Sequence, residues 1–282
     1  MNKYLKLGKF TISLPVTLTG FLGYFMAQSS LDLPALYAVS GIFLLSSGSS
    51  AMNQIQERRT DALMPRTAQR PLPSGKISLP QAVVFFIVCV AAGTLLLIVT
   101  GYPLAAVFGL FTVAWYNLVY TPLKRVTAFA VLPGALIGAL PPLIGWTAAG
   151  GNPLDMEILA VAFLLFVGQM PHYWLLLLKI GKEFHEAGLP VITSLLEPRQ
   201  IRNLSFMWMA ATGVCVLMLP ATPIIRHRAI SVVLIVVALL FLVRMFRLSY
   251  REDLLKHWKK AFITVNLFYL AIILVLIADR IF

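Results

Sequence analysis

The chain is short of charge. Only 12% of its 282 residues are Asp, Glu, Lys or Arg, about half of what a soluble domain carries. That excludes an ordinary water-soluble globule. Cysteine is scarce too: Cys89 and Cys215 are the only two, which excludes a disulfide framework and a Cys-type metal site. Both lie in apolar runs and read as small packing residues. Acids are outnumbered, with 11 Asp and Glu against 23 Lys and Arg and a net charge of +12. A cleavable signal is also missing, because the first apolar run is long enough to be retained as a span. No Arg-rich, Ser-rich transit extension precedes it, which argues for a bacterial inner membrane over an organelle.

What the chain has is apolar length. Hydrophobic residues make up 59% of it, and its mean hydropathy is +0.86. Apolar runs near 10–29, 34–54, 80–100, 103–121, 127–148, 157–179, 203–220, 228–246 and 261–279 each suffice to cross about 30 Å of hydrocarbon. The expected fold is all-α and polytopic. About nine transmembrane helices would surround a central apolar chamber, in a single domain over 1–282. With the N-terminus in the cytoplasm, 20 of the 23 basic residues fall on the inner side. Arg226, Arg228 and Arg280 alone fall opposite. That asymmetry sets the orientation by the positive-inside rule, with the C-terminus external. It also accounts for the net charge, so the lipid bilayer is the implied partner and no nucleic acid is needed.

The most informative stretch is 53–71. Asn53, Glu57 and Asp61 fall at i, i+4 and i+8. On a helix they drift about 80° around the axis over about 12 Å, so three oxygen-bearing side chains line one stripe. Such ligands suit Mg²⁺ that bridges to substrate phosphates. Arg58, Arg59, Arg66 and Arg70 lie alongside and could hold the same phosphates. The competing reading is a solvated basic loop with incidental acids.

A second cluster lies at 168–190. His172, Lys179 and Glu183 fall within about 20° of one helical line. That places Glu183 at the cytoplasmic mouth and His172 about 16 Å deeper if the helix is unbroken. An ionisable residue at that depth is a functional candidate, although a packing histidine is the alternative. Pro171 and Trp174 read equally well as packing. Glu186 reads as a surface partner of Lys182. In a third stretch, Lys124 and Arg125 stand at the inner end of a span, as an anion clamp or as routine anchors. Gly134, Gly138, Pro141, Pro142 and Gly145 then make a thin helix that lets backbones approach and leaves room for a bulky ligand.

These residues resemble the UbiA superfamily of intramembrane prenyltransferases, and within it the protoheme IX farnesyltransferases. The first motif of that family is similar to Asn53, Glu57, Asp61, Met64, Arg66, Thr67, Arg70, Pro71 and Leu72. Its Tyr-Thr-x-x-Leu-Lys-Arg-x-Thr segment is similar to Tyr120–Thr127, one residue shorter. Its heme-branch elements resemble Pro141-Pro142-x-x-Gly145-Trp146 and Pro171-His172-Tyr173-Trp174. The chain departs from the pattern with Glu for Asp at Glu57 and Glu183. Ala130 stands for Asn, Met170 for Pro and Asn266 for Ser.

The resemblance implies farnesyl diphosphate as donor, protoheme IX as acceptor and Mg²⁺ as the metal. It implies Asn53, Glu57 and Asp61 as catalytic metal ligands, with Glu183 serving a second ion. The candidate substrate-binding residues are Arg66, Arg70, Lys124, Arg125, His172, Trp174 and Lys179, with His172 orienting the heme. A downstream partner, heme A synthase or terminal oxidase assembly, also follows from the resemblance. Two readings compete: a relative prenylating an aromatic or quinone precursor, and a transporter with an ion site in broken helices. Acids gathered at one mouth weigh against the transporter.

Overall fold

A computed structural model describes residues 2–281. After a short helix α1 (Lys3–Leu7) come α2 (Phe10–Gln28), α3 (Leu33–Leu63) and α4 (Pro65–Ala68). They are followed by α5 (Leu79–Val99), α6 (Pro103–Ala114), α7 (Thr121–Leu123) and α8 (Val131–Ala148). The last four are α9 (Met156–Glu186), α10 (Pro198–Met218), α11 (Arg228–Tyr250) and α12 (Trp258–Ile281). Among the described residues nine helices are long and apolar enough to cross a membrane, α6 and α7 counting as one. Helix, not sheet, follows from the solvent: backbone groups in hydrocarbon must be satisfied within their own segment. α5 and α11 turn Val84, Val88, Leu95, Val236 and Leu240 outward, as lipid-facing helices do.

Local chemistry sets the ends. Asp32 caps α3 by accepting from the Ala35 amide at 2.9 Å, and Ser78 and Gln81 form a capping box on α5. Two helices outrun the apolar runs that predict them. α3 and α9 have 31 residues each, about 46 Å at 1.5 Å per residue, against a hydrocarbon core of about 30 Å. Both carry the excess at the end rich in basic residues. α3 stops where Pro65 follows Met64, since a residue before proline avoids the helical region.

The small residues divide into two uses. At Gly145 an added Cβ would sit 1.8 Å from the Gly20 carbonyl oxygen, and at Gly23 it would sit 1.9 Å from that of Pro142. α2 and α8 therefore touch backbone to backbone. Gly134 and Gly138, further toward the basic end of α8, face the side chains of Tyr120 and Gln169 and border a cavity. Thus only the second pair makes room for a ligand.

The fourth span differs from the straight helix expected there. Trp115–Tyr120 winds as one wide π-helical turn. Pro122, two residues on, can neither donate a backbone hydrogen bond nor fit under a tight preceding turn, and a π turn absorbs the mismatch. The Tyr116 carbonyl accepts the Thr121 backbone N–H and also the Thr121 hydroxyl, Oγ1, at 2.9 Å.

Candidate functional site

The protruding end of α3 holds the first half of the site. Because the helix is unbroken through Leu63, Asn53, Glu57 and Asp61 do share one stripe, and all three border one cavity. Past Pro65 the chain folds back over this stripe. Thr67 Oγ1 donates to the Asp61 carbonyl at 2.8 Å. Arg70 Nη1 grips both carboxylate oxygens of Asp61, at 2.8 and 2.6 Å. Asp61 itself is 1% exposed, so its charge needs the partner that Arg70 provides.

α7 delivers the second cation. Lys124 Nζ meets Glu57 Oε1 at 2.5 Å and lies 5.0 Å from the centre of the Tyr120 ring. Burial opposes the charge on Lys124, yet the Glu57 carboxylate outweighs it and holds the ammonium above the usual lysine range. Arg125 Nη2 donates to the Gln56 carbonyl at 2.6 Å at the rim. The π turn sets Tyr116 and Tyr120 on the cavity wall, their rings 5.6 Å apart.

α9 closes the other side. Glu183 Oε2 lies 3.5 Å from Arg66 Nε and is buried without a hydrogen-bond partner. His172 borders the cavity, its ring 4.9 Å from that of Phe262 and beside the Asn266 side chain. α9 runs unbroken from His172 to Glu183, so the depth of about 16 Å by helix rise holds.

Several candidates stand apart. Lys179 is exposed on the outside of α9 and borders no part of this cavity. Trp174 is 3% exposed and belongs to a core cluster with Val131, Ala135 and Met170, so it packs the wall from behind. Arg58 and Arg59 face outward, with Arg58 Nη1 donating to the Ile55 carbonyl of its own helix at 3.1 Å.

One residue escaped the sequence reading. Lys9, at the junction of α1 and α2, donates from Nζ to Asn53 Oδ1 at 2.6 Å. Burial, reinforced by Arg70, pushes its ammonium down to about 7 against the opposing pull of Glu57. As a lone lysine before an apolar run it had no signal beyond that of an inner anchor.

The cavity measures about 380 Å³, within the range of about 300–1,000 Å³ usual for small-molecule sites. Its mouth carries Lys9, Arg66, Arg70, Lys124 and Arg125. Ile12, Val16 and Ile137 also wall an adjoining apolar pocket that ends among Ile42, Leu45, Gly109 and Ile144, an apolar arm beside the mouth. The arrangement suits an anion with a long apolar tail. The oxygen donors of the α3 stripe suit a hard divalent ion; Glu183 does not border the cavity itself and reaches it only through its ion pair with Arg66. Among the described residues no three His, Cys, Asp or Glu side chains form a metal cluster. Asn53 supplies the third oxygen of this set.

Known proteins share this chain's sequence and shape. A protoheme IX farnesyltransferase of Geobacter sulfurreducens is 42% identical over 195 residues, 68% of this chain and 70% of that protein. One of Oleidesulfovibrio alaskensis is 34% identical over 272 residues, 96% of this chain and 94% of its own length. A solved UbiA homolog from Archaeoglobus fulgidus, bound to GPP and Mg²⁺, matches with a TM-score of 0.68 at 17% identity, covering 100% of both chains. A family model described as the UbiA prenyltransferase family matches residues 13–272. The chain belongs to the UbiA prenyltransferase family.

Proposed function

We propose that the protein is a Mg²⁺-dependent prenyltransferase that moves a farnesyl group from farnesyl diphosphate to a vinyl group of protoheme IX. The observation that carries this reading is the cavity with a cationic, oxygen-lined mouth, an adjoining apolar arm and a histidine at depth. The relatives' activity as protoheme IX farnesyltransferases supplies the acceptor and the transferred group.

Each part of the wall then has a task. Arg66, Arg70, Lys124 and Arg125 bind the diphosphate; Asn53, Glu57 and Asp61 would hold the metal, with Glu183 joining them once Arg66 turns to the diphosphate. Bound Mg²⁺ neutralises diphosphate as a leaving group. The arm takes the farnesyl tail and points its first carbon at the chamber. As the carbon–oxygen bond breaks, the leaving charge meets cations already in place. The allylic cation faces Tyr116 and Tyr120, away from bulk water. His172 orients the porphyrin so that the vinyl group attacks C1 of the farnesyl chain. Water then captures the heme-side cation and loses a proton, giving a hydroxyethylfarnesyl heme.

The direct test offers the purified protein labelled farnesyl diphosphate with protoheme and a hydroxybenzoate side by side. Label should enter heme and depend on Mg²⁺. Label entering the aromatic acid alone would overturn the acceptor.

Orientation belongs to the same reading. The cation-rich end, and with it the diphosphate mouth, faces the cytoplasm by the charge bias. The membrane is then a bacterial inner membrane, with later heme-modifying or oxidase-assembly proteins as downstream partners. A reporter fused after Lys76 should read as cytoplasmic and one at the C-terminus as external. Both ends on one side would break this topology.

A further inference from the structure

Each oxygen ligand of the α3 stripe is held by a different cation. Asn53 Oδ1 accepts from Lys9 at 2.6 Å. Glu57 pairs with Lys124 at 2.5 Å, and Asp61 with Arg70 at 2.6 Å. Lys124 and Arg70 belong to basic loop segments already assigned to phosphate. Lys9 comes from elsewhere and has no such assignment. Its backbone is unusual too: φ is +47°, a left-handed conformation costly for a residue with a side chain. Strain of this kind persists where the surroundings over-determine it. Here the Asn53 contact sets the direction of the side chain.

The contact has a chemical consequence. A divalent cation on Asn53 Oδ1 competes with Lys9 Nζ, 2.6 Å from the same oxygen, since like charges that close repel. For the metal to use Asn53, Lys9 must leave. With the Glu57 and Asp61 carboxylates taken by the metal, its Nζ is left with an anion at the mouth beside Arg70 and Lys124. We propose that Lys9 is a partner-exchanging residue, which occupies Asn53 in the absence of substrate and transfers to the diphosphate when the metal arrives. Metal and diphosphate then favour each other, and by linkage the effect is reciprocal. The inference rests on the reading of this mouth as a metal–diphosphate site.

The experiment uses full-length protein in detergent. Mn²⁺ is titrated alone by electron paramagnetic resonance. Inorganic pyrophosphate is titrated by calorimetry, once with chelator and once with saturating Mn²⁺. Lys9→Met should bind Mn²⁺ alone about tenfold more tightly than wild type, because Asn53 is free. It should bind pyrophosphate in the presence of Mn²⁺ about tenfold more weakly. Lys9→Arg should restore pyrophosphate affinity, and an unchanged melting temperature shows that the variants fold. Metal affinity unchanged in Lys9→Met, or metal-loaded pyrophosphate affinity unchanged, would overturn the exchange. Wild type that binds neither Mn²⁺ nor Mn²⁺ with pyrophosphate would overturn the site reading itself.

Discussion

Asp61→Asn should lower farnesyl transfer at least a thousandfold while the protein stays folded in the membrane. A thousandfold is about 4 kcal/mol of barrier, the order of stabilisation a metal supplies to a developing anion. Asp61 is central for two reasons. It is the most buried carboxylate of the cavity, 1% exposed, and its two oxygens, held by Arg70 in this structure, are the ones a metal takes over as Arg70 turns to the diphosphate. Substituting Asn keeps the shape but removes the charge and one of two equivalent oxygens. Arg70 loses its partner, but at 23% side-chain exposure it can turn to water, so the cost to folding should be modest. The measurement is initial rate at saturating Mg²⁺, paired with a thermal melt. A variant retaining more than a tenth of wild-type rate at unchanged Mg²⁺ dependence would remove Asp61 from the metal site.

His172→Ala should divide the two ligands. Heme affinity should fall about tenfold or more, roughly 1.4 kcal/mol. Affinity for a non-hydrolysable farnesyl diphosphate analogue should stay within about twofold, because the mouth lies about 16 Å away by helix rise. The structure leans against a pure packing role. His172 keeps an open side on the cavity while Phe262 supports its ring from behind at 4.9 Å. A packing histidine would instead lower the melting temperature and weaken both ligands together. Heme affinity and heme spectrum unchanged in the variant would return the acceptor to the aromatic or quinone class.

How far these assignments were legible depends on periodicity. The nine spans follow from hydropathy, and the Asn53, Glu57 and Asp61 stripe follows from spacing alone, because α3 is unbroken from Leu33 to Leu63. Spacing misled on α9. His172, Lys179 and Glu183 do fall near one line, but the cavity face of that helix is Gln169, Tyr173, Leu176, Ile180 and Phe184. At 100° per residue that face is centred about 80° around from His172. His172 stays at its edge, Glu183 falls just outside the lining beside Arg66, and Lys179 lies about 100° from its centre and points outward. A wheel gives relative angles on one helix, and only packing against neighbours sets which angle faces the chamber. The same reason hid Lys9. Its partner Asn53 is 44 positions away, and nothing local distinguishes it from Lys3 or Lys6. The π turn at Trp115–Tyr120 was hidden differently, since Pro122 announces a disturbance but not its form.

The central claim is that this cavity joins farnesyl to heme, and the hemes of the cell report on it directly. Hemes extracted from cells lacking any other such enzyme, with and without the wild-type chain, should be compared by mass spectrometry. The account predicts a new species in the expressing cells, heavier than protoheme by one farnesyl group and one hydroxyl group, and absent with Asp61→Asn. Protoheme as the sole heme, with the wild-type chain folded in the membrane and farnesyl diphosphate present, would contradict it.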